Sequence, residues 1–573
     1  RLLEMDNLQK LAFFVLTVPL FIVLLKTKIE KEDYFVDTKI LIFLFLFPIT
    51  FLTSFINKSS DMMILQLTYL LPPLFILFYT VFVLNNIGEE TFFKVSAFSI
   101  AVFSTIFSFI GLLQVMGIDL IPLPQIIIPG STIGHRGFAA EYLLPAIPYL
   151  LILKRYVKKD YHPLLFFAGV INVSFLFFTR SRSAFGISIF ILISLVIFII
   201  FNKNYKDKIK TLAPLVGVYI ISFLLSLIPP INGERADFSS NVTSVVDTEN
   251  KSNKLRMNFW KASFEMIKEN PFTGIGLQKW SGIYPKYYGD DFVDSHIYFV
   301  HAIHSHNDFL ELFAENGFAA PTIYLIIILL ILYNLYKKSK SNENYFLILL
   351  SGLSTIGFSL IAFPMNKFSS YFFFAFAAGL ALNAVKEKGK VIRVNPNYLK
   401  TVLSLLIIVG IFTSYIRLNS ELNYIKSIEY KNGGDYANMV KEIKNVNQIL
   451  YPYDVSKQPV EYYTSMGYYR LRKYDEALVY ALNSEKLSPS NPLVLHNTAS
   501  IYQSSKKYDE AISYYRRMQR QFPNYIDPQI NLLIIYSESL TFEKGKALFD
   551  ELIKKDSLNP RLSPFKVKYS NQF

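Results

Sequence analysis

Apolar residues along this chain gather in long runs separated by short polar breaks. Runs at about 11–26, 40–56, 63–84, 95–116, 138–153, 163–179, 184–201 and 211–228 are long enough, or nearly so, to cross a bilayer as helices. A polar stretch from about Pro229 to Gly317 follows, and four further runs occupy 318–336, 345–364, 370–385 and 400–417. The pattern predicts an all-α fold, a polytopic membrane bundle of about eleven or twelve spans with one large loop at 229–317. A connection of that length is functional or disordered. Its aromatic residues, its Gly and Pro punctuation and four of the seven histidines favour function.

Basic residues set the expected orientation. Lys154, Arg155, Lys158 and Lys159 form one cluster, and Lys203, Lys206, Lys208 and Lys210 another. Two more are Lys337, Lys338 and Lys340, then Lys386, Lys388, Lys390 and Arg393. They alternate with 117–137, 180–183, 229–317 and the C-terminal tail. The positive-inside rule places the basic turns in the cytoplasm and the others outside it. Eight spans before the loop would put the amino terminus outside as well, so either one early run does not span or a segment is missing.

Beyond residue 418 the sequence turns charged, Tyr-rich and helical. Tyr474-Asp475-Glu476-Ala477 recurs as Tyr508-Asp509-Glu510-Ala511, Pro489 recurs as Pro523, and Phe542-Glu543-Lys544-Gly545 comes one period later, always 34 residues on. That period is the tetratricopeptide signature of one helix pair per repeat. It predicts a separate domain at 419–573, with about three repeats between 455 and 560. Such a stack offers a concave surface to a protein or peptide partner, or serves as a spacer that stabilises the loop.

Composition changes the picture in three places. The chain is 52% hydrophobic and 16% aromatic, as expected of a polytopic protein. The net charge of +14 invites a nucleic-acid reading, but the basic residues lie in short clusters between apolar runs, so no nucleic-acid partner is expected. There is no cysteine, which excludes disulfides and thiolate metal sites.

Candidate chemistry lies in three places. Thr179-Arg180-Ser181-Arg182-Ser183-Ala184 puts two arginines at an outer helix end, where positive charge is unusual. Snorkelling to the interface explains such residues, and so does a bidentate grip on phosphate. A helix is predicted from about Lys254 to Glu269, its apolar stripe made by Leu255, Phe259, Ala262 and Met266. Asn270-Pro271 ends it. Arg256 falls in its first turn, against the helix dipole, which suggests an anionic ligand. Gly274-Ile275-Gly276 reads as a turn, without the strand and third glycine of a dinucleotide fingerprint.

The third place is the cluster of His296, His301, His304 and His306. Asp308 and Glu311 read as a capping-box-like pair opening a helix closed by Asn316-Gly317. His306 then precedes a helix amino terminus, whose dipole favours the neutral ring of a general base. A metal site built from these histidines and Glu311 and a structural role are the competing readings, and no standard zinc spacing is present.

Together these segments resemble the O-antigen ligase/polymerase superfamily of bacterial inner-membrane glycan transferases. The resemblance rests on Arg182 in Ser-Arg-Ser-Ala, on Arg256 with Trp260 and the Asn270–Gly276 run, and on His306-Asn307-Asp308-Phe309-Leu310…Glu315-Asn316-Gly317. Gly134-His135-Arg136-Gly137-Phe138-Ala139 resembles a further family segment at the outer face, with the usual asparagines replaced. The resemblance covers about residues 10–418. It implies transfer of a glycan from undecaprenyl diphosphate to an acceptor hydroxyl on the periplasmic side, without metal or other cofactor. It gives catalytic roles to His306, Arg256 and Arg182, and substrate-binding roles to Arg180, Arg136, His304, Asn307 and Trp260. The implied acceptors are lipid A-core, a protein Ser/Thr (protein O-oligosaccharyltransferase) or the growing glycan (polymerase). A transporter or flippase with a periplasmic adaptor is the reading from another class. Against it, no charged residues fall mid-helix in the predicted spans, where ion or substrate pathways usually show them.

Overall fold

The computed structural model describes residues 5–26, 34–37, 46–57, 59, 61–120, 128–201, 213–228, 251–287, 302–383, 391–523, 525–538, 542–555 and 557–570. Its contacts divide the chain into two compact units. The first takes Arg1–Trp260, Asn270–Leu277 and Ser305–Leu418; the second takes Lys261–Glu269, Gln278–His304 and Asn419–Phe573.

In the first unit each apolar run holds a helix among the described residues. In order these are α1 (Met5–Lys26), α2 (Leu46–Ile56), α3 (Asp61–Ile87), α4 (Glu89–Val115), α5 (Arg136–Leu153) and α6 (His162–Phe178). After them come α7 (Arg182–Phe201), α8 (Ala213–Ser226), the loop helices α9 (Lys251–Glu269, of which the second half from Lys261 belongs to the second unit) and α10 (Asp308–Asn316), then α11 (Ala319–Ser339), α12 (Asn344–Ser359), α13 (Phe368–Leu382) and α14 (Pro396–Asn432, in the first unit as far as Leu418). Among the described residues, seven helices are long and apolar enough to cross a membrane, and α8, α12 and α13 are shorter apolar helices. The protein is an all-α polytopic bundle. One element was not expected: a two-stranded antiparallel ribbon, β1 (Tyr34–Asp37) with β2 (Val391–Val394), pairing Tyr34 with Val394.

The core is aromatic. Phe75, Phe82, Phe93, Tyr149, Phe175 and Phe358 are fully buried where α3 packs on α13, α4 on α5 and α6, and α5 on α12. Outward faces are apolar too: Phe103, Phe167, Ile193, Ile408 and Phe412 are each more than half exposed. A surface of that kind suits lipid, since water-facing patches of this extent are rare on soluble monomers.

Successive helices run between two ends of the bundle. Arg155, from one basic turn, pairs with Glu343 at 2.8 Å and donates to Asn344 at 2.7 Å, just after the basic turn at Lys337–Lys340. Two of the four basic clusters therefore share an end. At the other end, Asp6 of α1 accepts from the backbone N–H of Phe368 at 2.7 Å. So α1 starts at the end away from these basic turns.

The second unit holds α15 (Tyr436–Ile443), α16 (Val460–Arg470), α17 (Tyr474–Leu487), α18 (Pro492–Ser504), α19 (Tyr508–Gln521), α20 (Ile526–Glu538), α21 (Phe542–Lys555) and α22 (Ser563–Ser570). Each helix from α16 to α21 packs on the next. The 34-residue period falls on α17, α19 and α21, which open at Tyr474, Tyr508 and Phe542.

Candidate functional site

The N-terminal end of α10 is built by an asparagine. Asn307 is its N-cap: the side-chain oxygen accepts from the N–H groups of Phe309 and Leu310, both at 3.0 Å. Glu311 reaches back to the N–H of Ser305 at 2.7 Å. The expected Asp308–Glu311 box is therefore displaced by one residue, because Asn307 takes the cap. Asp308 is buried and accepts from the N–H of Met365 at 3.3 Å. Burial, reinforced by Glu311, raises its pKa well above the usual carboxylate range.

His306 sits one residue before this cap with φ of 57°, a left-handed conformation that costs a non-glycine residue on the order of 1–3 kcal/mol. Its ring lies between two phenylalanines. Phe259 of α9 stacks at 5.8 Å and 17°, and Phe363 meets it edge-on at 5.0 Å and 81°. Behind Phe363 lies an arrangement that sequence reasoning missed. Lys367 has its ammonium 3.3 Å from the centre of the Phe138 ring and 3.9 Å from that of Phe363. It pairs with Glu141 of α5 at 3.0 Å, and Ser370 donates to the same carboxylate. His135, the N-cap of α5, stacks on Phe138 at 4.2 Å. Burial first, then the charges of Lys367 and Arg136, push the His135 pKa down to about 4.

Arg256 joins this field. The structure starts α9 at Lys251, so Arg256 lies in the second turn and not the first, which corrects the expected conflict with the dipole. What singles Arg256 out is burial. Its Nε is shut off from solvent and has no hydrogen-bond partner among the described residues. Desolvation and the charge of Arg182 lower its pKa, while Glu141 acts in the opposite direction. Arg182, at the start of α7, is thus close enough to Arg256 to be felt electrostatically. Trp260, the next turn's neighbour, likewise has a buried indole N–H without a partner among the described residues.

The other candidates divide. Arg136 opens α5 beside His135. Arg180 is 9% exposed, has φ of 51° and donates to the carbonyl of Ser226 at 2.7 Å, closing the end of α8. Asn307 is engaged at both ends, its Nδ2 donating to the carbonyl of Leu360 at 3.0 Å. These two hold backbone in place. His304 is buried and belongs to the second unit. His296 and His301 lie outside the described residues. Among the described residues, no three His, Asp or Glu side chains gather as a metal site needs.

The Asn270–Gly276 run ties α9 to α10. Ile275 and Gly276 donate to the carbonyls of Ala314 and Glu315 at 2.8 and 3.0 Å, and Phe318 donates to Pro271 at 2.9 Å. Gly274 and Gly317 both have φ of 69°, and a Cβ on either would strike the other segment's backbone. The elements bearing Arg256 and His306 are therefore locked together by two glycines.

Residues 167–325 match the family model described as O-antigen ligase. Over these residues the chain is similar to the O-antigen ligase family. The matched stretch contains Arg180, Arg182, Arg256, Trp260, His304, His306 and Asn307. No curated protein and no solved structure matches the chain. Only Glu141 of the Glu141–Lys367 pair could have been noticed in the sequence. Glu141 falls inside an apolar run, in the second turn of α5. Ionisable residues in such runs mark functional sites by default.

Proposed function

We propose that this chain is an O-antigen ligase-like glycosyltransferase. It moves an oligo- or polysaccharide from undecaprenyl diphosphate to an acceptor hydroxyl, with lipid A-core the favoured acceptor. The reaction takes place at the periplasmic face of a bacterial inner membrane, with the large loop and the C-terminal domain on that side. The observation that supports it most is the buried Arg256 Nε without a partner among the described residues, within the field of Arg182 and on the helix whose Phe259 stacks on His306.

The proposed chemistry needs no metal. Arg182 and Arg256 grip the diphosphate by their planar forks. The acceptor hydroxyl attacks the anomeric carbon and passes its proton to His306. As the new C–O bond forms, the anomeric C–O bond to phosphate breaks, and the electron pair leaves on the diphosphate, stabilised by the arginines. One direct displacement inverts the anomeric centre. Diphosphate leaves without a protonating acid, so no glycosidase-type carboxylate pair is required.

The 34-residue period supports a tetratricopeptide domain at 419–573. Glycan profiling of a deletion strain tests the acceptor. Uncapped lipid A-core beside intact lipid-linked polymer is the expected result. Loss of glycoprotein instead assigns a protein acceptor, and single repeat units in place of chains assign a polymerase.

A further inference from the structure

We infer that the C-terminal helical unit already has an occupant, and that it is the loop of this same chain. Residues Lys261–Glu269 and Gln278–His304 cluster with Asn419–Phe573 and not with the helix bundle. The contact is built at close range. Ser490, in the turn between α17 and α18, donates its N–H to the carbonyl of Gly282 at 3.0 Å. A Cβ on Gly282 would lie 2.8 Å from Ser488 Cα and 2.9 Å from the carbonyl oxygen of Leu487, so only glycine fits. Lys457 donates to the side chain of Gln278 at 2.5 Å.

Within the same segment, Trp280 stacks on Tyr284 at 5.0 Å and 10°, and each is 1% exposed. The Trp280 indole N–H donates to Ser263 Oγ at 2.9 Å, which joins the second half of α9 to the segment. Ser281 donates to the carbonyl of Ala302 at 2.7 Å, which fastens the segment's far end.

Chain connectivity gives this docking its consequence. Arg256 lies five residues before Lys261 on α9, and His306 lies two residues after His304. Both proposed functional residues therefore sit on pieces of chain that leave the C-terminal unit. The edge formed by Lys457 and Leu487–Ser490 fits a segment of this chain, and its role is to keep the loop ordered for transfer. Only the transfer readout below rests on the proposed function.

The test uses the full chain in lipid nanodiscs, comparing wild type with Gly282→Val and Gly282→Ala. Amide hydrogen exchange is read in peptides covering 278–287 and 487–492, with peptides from α5 as the internal standard. Gly282→Val is expected to raise exchange in both peptides at least tenfold, leave α5 unchanged and lower transfer at least tenfold. Gly282→Ala should move the same way by less, and it carries the test if the valine variant does not accumulate. Val479→Ala, on an exposed face of α17, should change neither. Unchanged exchange in 487–492 would overturn the docking, and raised exchange with wild-type transfer would overturn its role. A wild-type protein without transferase activity would overturn the proposed function, while the exchange comparison would still decide the docking.

Discussion

The ammonium of Lys367 lies 3.0 Å from the carboxylate of Glu141, with side-chain exposures of 12% and 5%. Removing one partner of a buried pair leaves an uncompensated charge and costs about 3–5 kcal/mol, whereas replacing both by apolar groups is often nearly neutral. Lys367→Met and Glu141→Leu should therefore each lower the thermal midpoint clearly. The double variant Lys367→Met/Glu141→Leu should lose less than the sum of the singles. Additive losses would show that the two side chains do not act as a pair.

The two arginines are expected to behave as one grip. Lysine supplies a point charge without the bidentate fork, so Arg182→Lys or Arg256→Lys should each reduce kcat/KM at least tenfold. Because both act on one diphosphate, the double replacement should cost less than the product of the two single losses. Tolerance of lysine at both positions would rule out a shared phosphate ligand.

His135 makes stability depend on pH. Its folded pKa of about 4 lies below the ordinary 6.5, so between these values the unfolded chain binds a proton that the folded one does not. Acidification through that window therefore destabilises the fold. Asp308 works the other way, since its raised pKa makes the folded chain hold the extra proton. The comparison that isolates His135 is with His135→Asn, which retains an N-cap side chain but does not titrate. Between pH 7.5 and 5 the wild type should lose more thermal stability than this variant. Equal slopes would remove His135 as the cause.

Much of the bundle was legible because a membrane span writes itself as a continuous apolar run, and each of the twelve runs holds a helix. The ribbon from Tyr34 to Val394 was not, because its strands are four residues long and far apart in sequence. At the site, Arg256 and His306 stood out by residue type and position, but the reason first given for Arg256 came from a helix start set three residues late. Lys367 was hidden because its partner, Glu141, is 226 residues away. Single-residue charges near span ends look alike until the fold pairs them. The role of Arg180 in closing α8, and the second bond of Asn307 beyond its cap of α10, also needed the three-dimensional partners, Ser226 and Leu360.

The central claim is that His306 takes the acceptor proton during transfer from a polyprenyl diphosphate. Its most direct test is reconstituted transfer with purified protein, an undecaprenyl-diphosphate-linked glycan, lipid A-core and a chelator, following release of undecaprenyl diphosphate and formation of capped lipid together. Wild type should release one diphosphate for each glycan transferred, and His306→Ala should slow both by roughly 10²–10⁴-fold while still binding the donor. Full activity of His306→Ala, or no diphosphate release by wild type, would contradict the account.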